Sequence, residues 1–337
     1  MLVLVIAGMV LSGSGLTHEP QSAEAALLTE VKKLLASDAQ DSDWFGFSVA
    51  VSGDTAVVGA VFEDDGGSDA GAVYVFGRDE GSPDNWGEVT KLIASDAEVF
   101  DLFGYSVAIS GDTALVGAAL EDAGGHNAGA AYVFQRDQGG TDNWGEVKKL
   151  LASDAEANDR FGDSVAVSGD TAVVGAEQEE AGGLRAGAAY IFQRDQGGTE
   201  NWGEVKKLTA SDAQAGDFFG KSAAVSSDTV VVGVFRGKTA YVFQRDDGGV
   251  NNWAEVSRLK ACDDVTSSGF GHSVAVSGST TVVGAFRADD SVGAAYVFEF
   301  GLGDCDGDGV PDDEDACPGH ASRRGRRRQW LYANASY

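Results

Sequence analysis

The residues best suited to chemistry lie near the carboxyl end, where aspartates alternate with small residues. Alternating carboxylates turn toward one point around a hard cation, Gly309 permits the bend, and the Val310 carbonyl is placed to bind as well. The pattern predicts a calcium site, and the alternative is an acidic linker that binds ions weakly. The predicted ligands are Asp304, Asp306, Asp308, Asp312 and Asp315.

Histidine and paired carboxylates are the other groups that could catalyse reactions. The four histidines, His18, His126, His272 and His320, stand in no metal-binding or triad pattern of the sequence. Acidic residues recur instead: Ser-Asp pairs begin at Ser37, Ser95, Ser153 and Ser211, and an aspartate stands at 43, 101, 159 and 217. Paired carboxylates can serve acid–base chemistry, but residues repeated at constant spacing are more typical of side chains that cap turns.

The elements that position these residues are set by an internal repeat. The pair Phe-Gly begins at 45, 103, 161, 219 and 270, at spacings of 58, 58, 58 and 51 residues. Each copy contains four short pieces, which in the first copy read SVAVSGD, TAVVGA, GAVYVF and NWGEVTKL. The position after Phe-Gly holds Phe47, Tyr105, Asp163, Lys221 and His272, and we interpret it as one that tolerates any residue.

Each piece is predicted to be a β-strand, because it is rich in β-branched and aromatic residues and bounded by Gly, Asp, Asn or Ser. Gly53-Asp54 is a good two-residue hairpin turn between the first two strands. Strands such as AVVGA are apolar on both faces, as expected where a sheet is covered twice. The fold class is therefore all-β, a β-propeller of five four-stranded blades.

The strand count suggests that the ring closes. The chain begins with a lone fourth-type strand, Glu30–Leu34, and ends with a third-type strand, Ala294–Phe298. Pairing of the two would complete the fifth blade and remove two exposed edges. The alternative is an open arc, or a fragment of a larger propeller.

The block FGFSVAVSGDTAVVGA, followed by GAVYVF, resembles the FG-GAP repeats of integrin α-subunit propellers and bacterial surface proteins. The resemblance covers about residues 28–300 and implies a propeller with extracellular adhesive or ligand-binding roles. The family's Gly-Ala-Pro proline is replaced throughout, as in Gly59-Ala60-Val61. The connection Ser52–Thr55 is too short for an integrin-type blade calcium loop, since calcium takes six to eight oxygen ligands.

Residues 303–319 resemble a thrombospondin type 3 repeat, whose aspartates bind calcium at the five positions named above. Cysteines of that family usually bridge neighbouring repeats. Only one repeat is present, so Cys305 and Cys317 would have to form a local bridge. Cys262 stands where the other repeats have serine and is expected to be a free thiol. Residues 320–337 turn abruptly arginine-rich, which favours a disordered or out-of-frame tail over a nucleic-acid or membrane-surface segment.

The net charge and the predicted signal peptide limit the classes of partner that this protein can have. The formal net charge of −29 makes nucleic acid an unfavourable partner. Residues 1–25 are predicted to be a signal peptide, with an apolar run of 11 residues that is too short to span a bilayer. We therefore expect a secreted or cell-surface protein without a membrane span after signal removal.

The repeat favours a non-enzymatic binding or adhesion module whose ligand is an extracellular protein or glycan. An enzyme should show an unrepeated polar cluster in one or two blades, and none is evident in the sequence. The alternative is a propeller lyase or hydrolase acting on extracellular glycans. Specificity is expected in the variable loops 63–70, 121–128 and 177–186. The recurring Trp86, Trp144, Trp202 and Trp253 are expected to pack in or at the edge of blades, the alternative being sugar stacking.

Overall fold

The computed structural model describes residues 30–235, 239–261, 269–288 and 292–299. The predicted signal peptide, the calcium loop with Cys305 and Cys317, the tail and Cys262 lie outside these ranges. Within the described residues there is no helix long and apolar enough to cross a membrane.

The described chain is built from 19 β-strands, which confirms the all-β expectation. Blade 1 contains β1 (Phe45–Ser52), β2 (Thr55–Ala60), β3 (Ala72–Gly77) and β4 (Gly87–Leu92). Blade 2 contains β5 (Phe103–Ser110), β6 (Thr113–Ala118), β7 (Ala130–Gln135) and β8 (Gly145–Leu150). Blade 3 contains β9 (Phe161–Ser168), β10 (Thr171–Ala176), β11 (Ala188–Gln193) and β12 (Gly203–Leu208). Blade 4 contains β13 (Phe219–Ser226), β14 (Thr229–Val234), β15 (Ala240–Gln244) and β16 (Ala254–Leu259). Blade 5 contains β17 (Phe270–Ser277), β18 (Thr280–Ala285) and β19 (Ala294–Glu299).

Blades 1 to 4 are antiparallel four-stranded sheets in sequence order, and the sheet of blade 5 has three described strands. The predicted hairpin is present, since Ser52 pairs with Thr55 around a two-residue turn. The first strands of successive blades pack on one another, β1 on β5, β5 on β9, β9 on β13 and β13 on β17. They therefore form the inner side of the array, with the fourth strands outside.

The core lies between neighbouring blades, as expected for strands covered on both faces. Every residue of β6, β10 and β14 is buried. The phenylalanine of each Phe-Gly pair packs edge-on or tilted against two aromatic side chains of the third strand. In blade 2, the ring centroid of Phe103 lies 5.5 Å from that of Tyr132 and 5.9 Å from that of Phe134. Aromatic contacts of this geometry stabilise a core beyond the area that they bury.

The two ends of the array differ from its middle. Segment 30–36 has no strand, contrary to the prediction for Glu30–Leu34, because it has no β-ladder partner in the described structure. It lies beside blade 1, where Lys32 Nζ donates to Asn85 Oδ1 over 3.1 Å. Val49 and Val51 of blade 1 and Val297 of blade 5 are each about two-thirds exposed. The described residues therefore form five stacked sheets with apolar surface at both ends.

Candidate functional site

Each first strand begins with a β-bulge that contains the Phe-Gly glycine and the residue after it. In blade 2, Phe103 pairs with Ala118 and Ser106 pairs with Gly117, so Gly104 and Tyr105 oppose no residue of β6. Gly104 has a φ of +88°, which a glycine adopts without strain. A bulge changes the direction of the side chain it carries. The glycine is therefore needed for the bulge, and the following residue is free to differ between blades.

The residues after Phe-Gly form what we call the inner row: Phe47, Tyr105, Asp163, Lys221 and His272. The rings of Phe47 and Tyr105 lie 5.2 Å apart. Lys221 Nζ lies 2.7 Å from Asp163 Oδ2. Tyr105 interacts electrostatically with Asp163, and His272 with Lys221. The inner row is thus made of five different side chains, one from each blade.

Side chains at the ends of second strands lie beside the middle of the inner row, and they differ between blades. Glu177 Oε2 lies 3.2 Å from Lys221 Nζ, and Glu177 Oε1 lies 3.8 Å from Arg160 Nη1. Both carboxylates that contact Lys221 are buried. Asp163, Glu177, Lys221 and Arg160 therefore form one cluster, which we call the charged cluster.

Burial changes the proton affinity of the charged cluster. Burial raises the pKa of Glu177, and the charge of Asp163 raises it further against the opposing effect of Lys221. Burial lowers the pKa of Lys221, but the charges and hydrogen bonds of its two carboxylate partners outweigh this and hold the pKa above its ordinary value. Lys221 is therefore a permanent cation, and Glu177 takes up a proton more readily than an exposed glutamate.

Aromatic side chains lie at both ends of the inner row. In blade 1, the rings of Trp44 and Phe62 lie 4.7 Å apart, next to Phe47. On the other side, the ring of His272 lies 4.8 Å from that of Phe286 and 5.6 Å from that of Phe235. Burial lowers the pKa of His272, and the positive charges of Lys221 and Arg287 lower it further. The histidine is accordingly neutral at pH 7.

The recurring carboxylates have structural contacts, as the sequence analysis favoured. In blade 2, Asp96 accepts hydrogen bonds from the Tyr132 hydroxyl over 2.9 Å and from Lys149 Nζ over 2.6 Å. Lys149 Nζ also contacts buried Glu121 at 2.7 Å. Blade 3 repeats this arrangement with Asp154, Tyr190, Lys207 and Glu179. Asp43, Asp101, Asp159 and Asp217 each accept a backbone N–H from three residues earlier, as turn caps do.

One acidic group outside the predicted calcium loop has the composition of a metal site. Oxygens of Asp38, Glu63 and Asp65 lie within 4.8 Å of one another. Lys91 Nζ contacts all three carboxylates. A lysine that bonds two carboxylates recurs at the same place in blades 2 and 3, so this group belongs to the blade framework.

The recurring tryptophans lie against an arginine of the same blade. Trp144, Trp202 and Trp253 are buried, and the guanidinium carbons of Arg136, Arg194 and Arg245 lie 5.0–5.2 Å from their ring centroids. The burial of these three agrees with the packing role favoured above and leaves no open ring face for sugar stacking, whereas Trp86 in blade 1 is partly exposed.

The loops that we expected to bear specificity share one backbone design in blades 1 to 3. The N–H groups of Gly67, Gly125 and Gly183 each donate to the carbonyl of the residue three positions earlier. By contrast, the inner row and the charged cluster differ between blades and contain no repeated contact. Sequence reasoning missed this cluster because Asp163 and Lys221 stand 58 residues apart, in a position that seemed free to vary. The signal in the sequence was the variation itself, because the residues on either side of this position are nearly the same in every repeat.

The FG-GAP repeat family model matches residues 28–76, 86–134, 144–192, 202–247 and 253–298, well over half of the chain. The chain belongs to the FG-GAP repeat family. Each matched unit after the first begins with the fourth strand of one sheet and continues through the first three strands of the next. This FG-GAP protein therefore has the repeated antiparallel sheets of a β-propeller. A comparison with curated proteins finds no similar sequence.

Proposed function

We propose that this FG-GAP protein is a secreted or cell-surface, non-enzymatic binding or adhesion module that contacts its ligand through the inner row. The observation that carries the proposal is the contrast between a repeated framework and an unrepeated inner row. A framework residue serves the blade, so it recurs in every blade. A residue that recognises an asymmetric ligand has no reason to recur.

The test compares two exposed phenylalanines. Phe47 lies in the inner row, and Phe100 lies outside it, with 43% and 56% of their surfaces exposed. The purified chain would be passed over immobilised extracellular matrix proteins and glycans, beside Phe47→Ala and Phe100→Ala. We expect at least one surface to retain the unmodified chain. The same surface should retain Phe100→Ala but not Phe47→Ala. Equal retention of both variants would remove the inner row from the proposal, and no retention on any surface would contradict the binding function.

A second candidate is a glycan lyase or hydrolase. The charged cluster favours it, since an unrepeated group of polar residues in two blades is what we required of an enzyme. Glu177, with its raised pKa, has the property of a proton donor, and Asp163 is a second carboxylate beside the same lysine. Release of new reducing ends from a glycan panel, abolished by Glu177→Gln, would establish this candidate in place of the first. A binding surface alone releases none.

We also propose that the carboxyl-terminal loop binds one calcium ion through Asp304, Asp306, Asp308, Asp312 and Asp315. Support comes from the sequence: carboxylates so close together repel one another, and a divalent cation relieves the repulsion. The predicted signal peptide supports an extracellular location, where such a loop meets abundant calcium. The acidic balance of the chain supports a protein or glycan ligand over nucleic acid.

We further propose that the propeller closes in its functional form, with Glu30–Leu34 pairing with β19. The exposed valines at both ends of the array support this, because contiguous apolar surface is costly to leave in water. The three described strands of blade 5 support it as well, since each other blade has four. By the register of blade 1, where Val75 pairs with Thr90, Lys32 would lie opposite Val297.

A further inference from the structure

The residue that ends the third strand of blade 1 differs from its counterparts in the next three blades. The third strands of blades 2, 3 and 4 end with Gln135, Gln193 and Gln244, whereas that of blade 1 ends with Gly77. In the sheet of blade 1, Gly77 pairs with Thr55 at the hairpin end of the second strand. Blade 1 therefore lacks, at this place, a side chain that the following three blades share.

The glutamine of blades 2 and 3 reaches across to the next blade. With its amide turned to suit both neighbours, Gln135 accepts a hydrogen bond from Arg194 Nη1 over 3.1 Å and donates one to Glu200 Oε2 over 2.6 Å. In blade 3, Gln193 Nε2 donates to Asn251 Oδ1 of blade 4 over 3.3 Å. A side-chain carboxamide is thus the group that both blade interfaces place here.

Blade 2 presents the same partners to blade 1, where no carboxamide meets them. Arg136 of blade 2 donates to Thr55 Oγ1 of blade 1. Arg136 Nη1 lies 3.8 Å from Asp142 Oδ1, and the matching distance in blade 3, between Arg194 and Glu200, is also 3.8 Å. In blade 3 an amide lies against this arginine–carboxylate pair. The glycine of blade 1 supplies no such group.

A cavity lies between blades 1 and 2 at this place. Its volume of about 430 Å³ falls within the roughly 300–1,000 Å³ of small-molecule sites, and Gly77 lines it. The side chains of Arg136 and Asp142 are 28% and 61% exposed, so a ligand can reach both. The charged residues that line the cavity are Asp54, Glu80, Asp112, Asp142, Arg78 and Arg136. Four carboxylates against two guanidinium groups make it unfavourable for an anion.

A primary carboxamide matches these partners better than related groups do. Its oxygen accepts and its NH2 group donates from the same carbon, so it can face an arginine and a neighbouring carboxylate together. The C=O and N–H of a trans backbone amide point in opposite directions and cannot do so. A ligand carboxylate has no proton to donate to Asp142, and the acidic lining repels it.

We propose that this cavity binds a glutamine side chain of a protein ligand. The amide oxygen accepts a hydrogen bond from Arg136 Nη1, and the amide nitrogen donates one to the Asp142 carboxylate. The cavity includes the hairpin Ser52–Thr55 at the end of the first strand of blade 1, whereas the inner row lies at the start of the first strands. It is therefore a second contact surface, separate from the one proposed above.

The test uses a Gly-Gln-Gly peptide, capped with acetyl and N-methylamide groups so that its side chain holds the only primary carboxamide. We expect a saturable shift of the Trp144 indole N–H signal in NMR spectra of the full chain, titrated to about 20 mM peptide. The Gly-Glu-Gly analogue should bind roughly tenfold more weakly or less, because the acidic lining repels it. Phe47→Ala in the inner row should leave binding unchanged.

Two variants test the location of the site. Gly77→Gln, which gives blade 1 the residue of the other blades, should weaken binding by about tenfold or more because its own amide occupies the cavity. Asp142→Gly should weaken it by about fivefold or more through the lost acceptor. Glu200→Gly is the matched control in blade 3 and should bind normally. Both acidic residues have a positive φ, near 55°, which glycine adopts without strain.

A thermal melt of each variant separates binding from folding. A Cβ at Gly77 would lie 3.1 Å from Val89 Cγ2, so Asp142→Gly keeps the test decisive if Gly77→Gln does not fold. The inference is overturned if the glutamine peptide does not bind at about 20 mM, or if the glutamate analogue binds equally well. Binding that persists unchanged in the folded cavity variants would overturn it as well. None of these outcomes bears on the inner row, which Phe47→Ala tests separately.

Discussion

The hydroxyl of Ser106 in blade 2 donates a 2.8 Å hydrogen bond to the carbonyl of Gly162 in blade 3. Ser48, Ser164 and Ser222 make the same bond to Gly104, Gly220 and Gly271. The accepting glycine is always that of the bulge. The bond therefore fixes how each blade is positioned along its neighbour. It thereby also fixes the position of the inner-row residue that follows the glycine.

This close approach predicts a large cost for a methyl group at Gly117. A Cβ there would lie 2.0 Å from Gly162 O and 2.4 Å from Ser106 Oγ. Gly117→Ala should therefore lower the free energy of unfolding by about 3 kcal/mol or more, because the blades must separate. Urea unfolding would measure the change.

The control is Gly111→Ala in a hairpin turn. Gly111 has a φ of +57°, but a Cβ there would meet no atom within 4 Å. Only backbone strain applies, so the loss should be about 1 kcal/mol. A larger loss at Gly111 than at Gly117 would show that contact between the blades is looser than described.

The adjacent residues Lys148 and Lys149 should differ greatly in their effect on stability. Lys149 Nζ pairs with buried Glu121 and half-exposed Asp96, whereas Lys148 Nζ donates to the amide oxygen of Asn201. Lys149→Met leaves a buried carboxylate without its cation and should cost about 2–4 kcal/mol. Lys148→Met should cost less than about 1 kcal/mol. Chemical unfolding of the two variants tests this, and equal losses would contradict the assigned role of Lys149.

The sequence allowed the framework to be predicted well, because its determinants are local and repeated five times. Hairpin turns, doubly covered strands and capping aspartates each follow from a few neighbouring residues, as with Ser52–Thr55. The charged cluster could not be predicted in the same way. It depends on how closely blades 3 and 4 approach, which brings Asp163 to Lys221, and no local pattern encodes that distance. The state of Glu30–Leu34 depends on a partner almost the whole chain away.

Two aspartates of one loop should give pH dependences of opposite sign. Burial raises the pKa of Asp101 from 3.8 to about 6. The folded protein then holds this proton more tightly than the unfolded chain, so the free energy of unfolding falls as pH rises from about 4 to 6. The contribution is on the order of 2 kcal/mol. Asp101→Asn, which keeps the oxygen that caps Glu98 N–H, should remove that fall.

Asp96 supplies the control. Burial raises its pKa, but hydrogen bonds from Lys149 and Tyr132 outweigh burial and lower it below 3.8. Its stabilisation is present above about pH 4 and is lost as pH falls through the lowered pKa. The difference in unfolding free energy between wild type and Asp96→Asn should therefore shrink at low pH. Difference curves of the same sign for both variants would contradict these assignments.

Calcium titration of the full chain should show one site that depends on the carboxyl-terminal loop. Replacing Asp306 and Asp308 with asparagine removes two carboxylates and should weaken calcium binding by roughly tenfold or more. Asp65→Asn, in the acidic group that Lys91 bonds, should leave it unchanged. Calorimetry of the three proteins distinguishes the two locations. Loss of calcium binding in Asp65→Asn would move the site to blade 1.

Closure of the propeller can be tested with a disulfide between Lys32 and Val297. The chain would carry Lys32→Cys and Val297→Cys, with Cys262, Cys305 and Cys317 replaced by serine. Paired strands bring opposite residues close enough for a disulfide, whereas the two ends of an open array do not. We expect an oxidised monomer that migrates faster than its reduced form on a denaturing gel, and neither single-cysteine variant should show this species.

The same experiment separates closure within one chain from pairing between chains. If blade 5 of one molecule accepts the amino-terminal segment of another, oxidation gives covalent dimers and longer species that increase with protein concentration. An intramolecular bond forms at a rate independent of concentration. Polymers alone, or no disulfide at any concentration, would show that the exposed valines of blades 1 and 5 do not face each other across a closed ring.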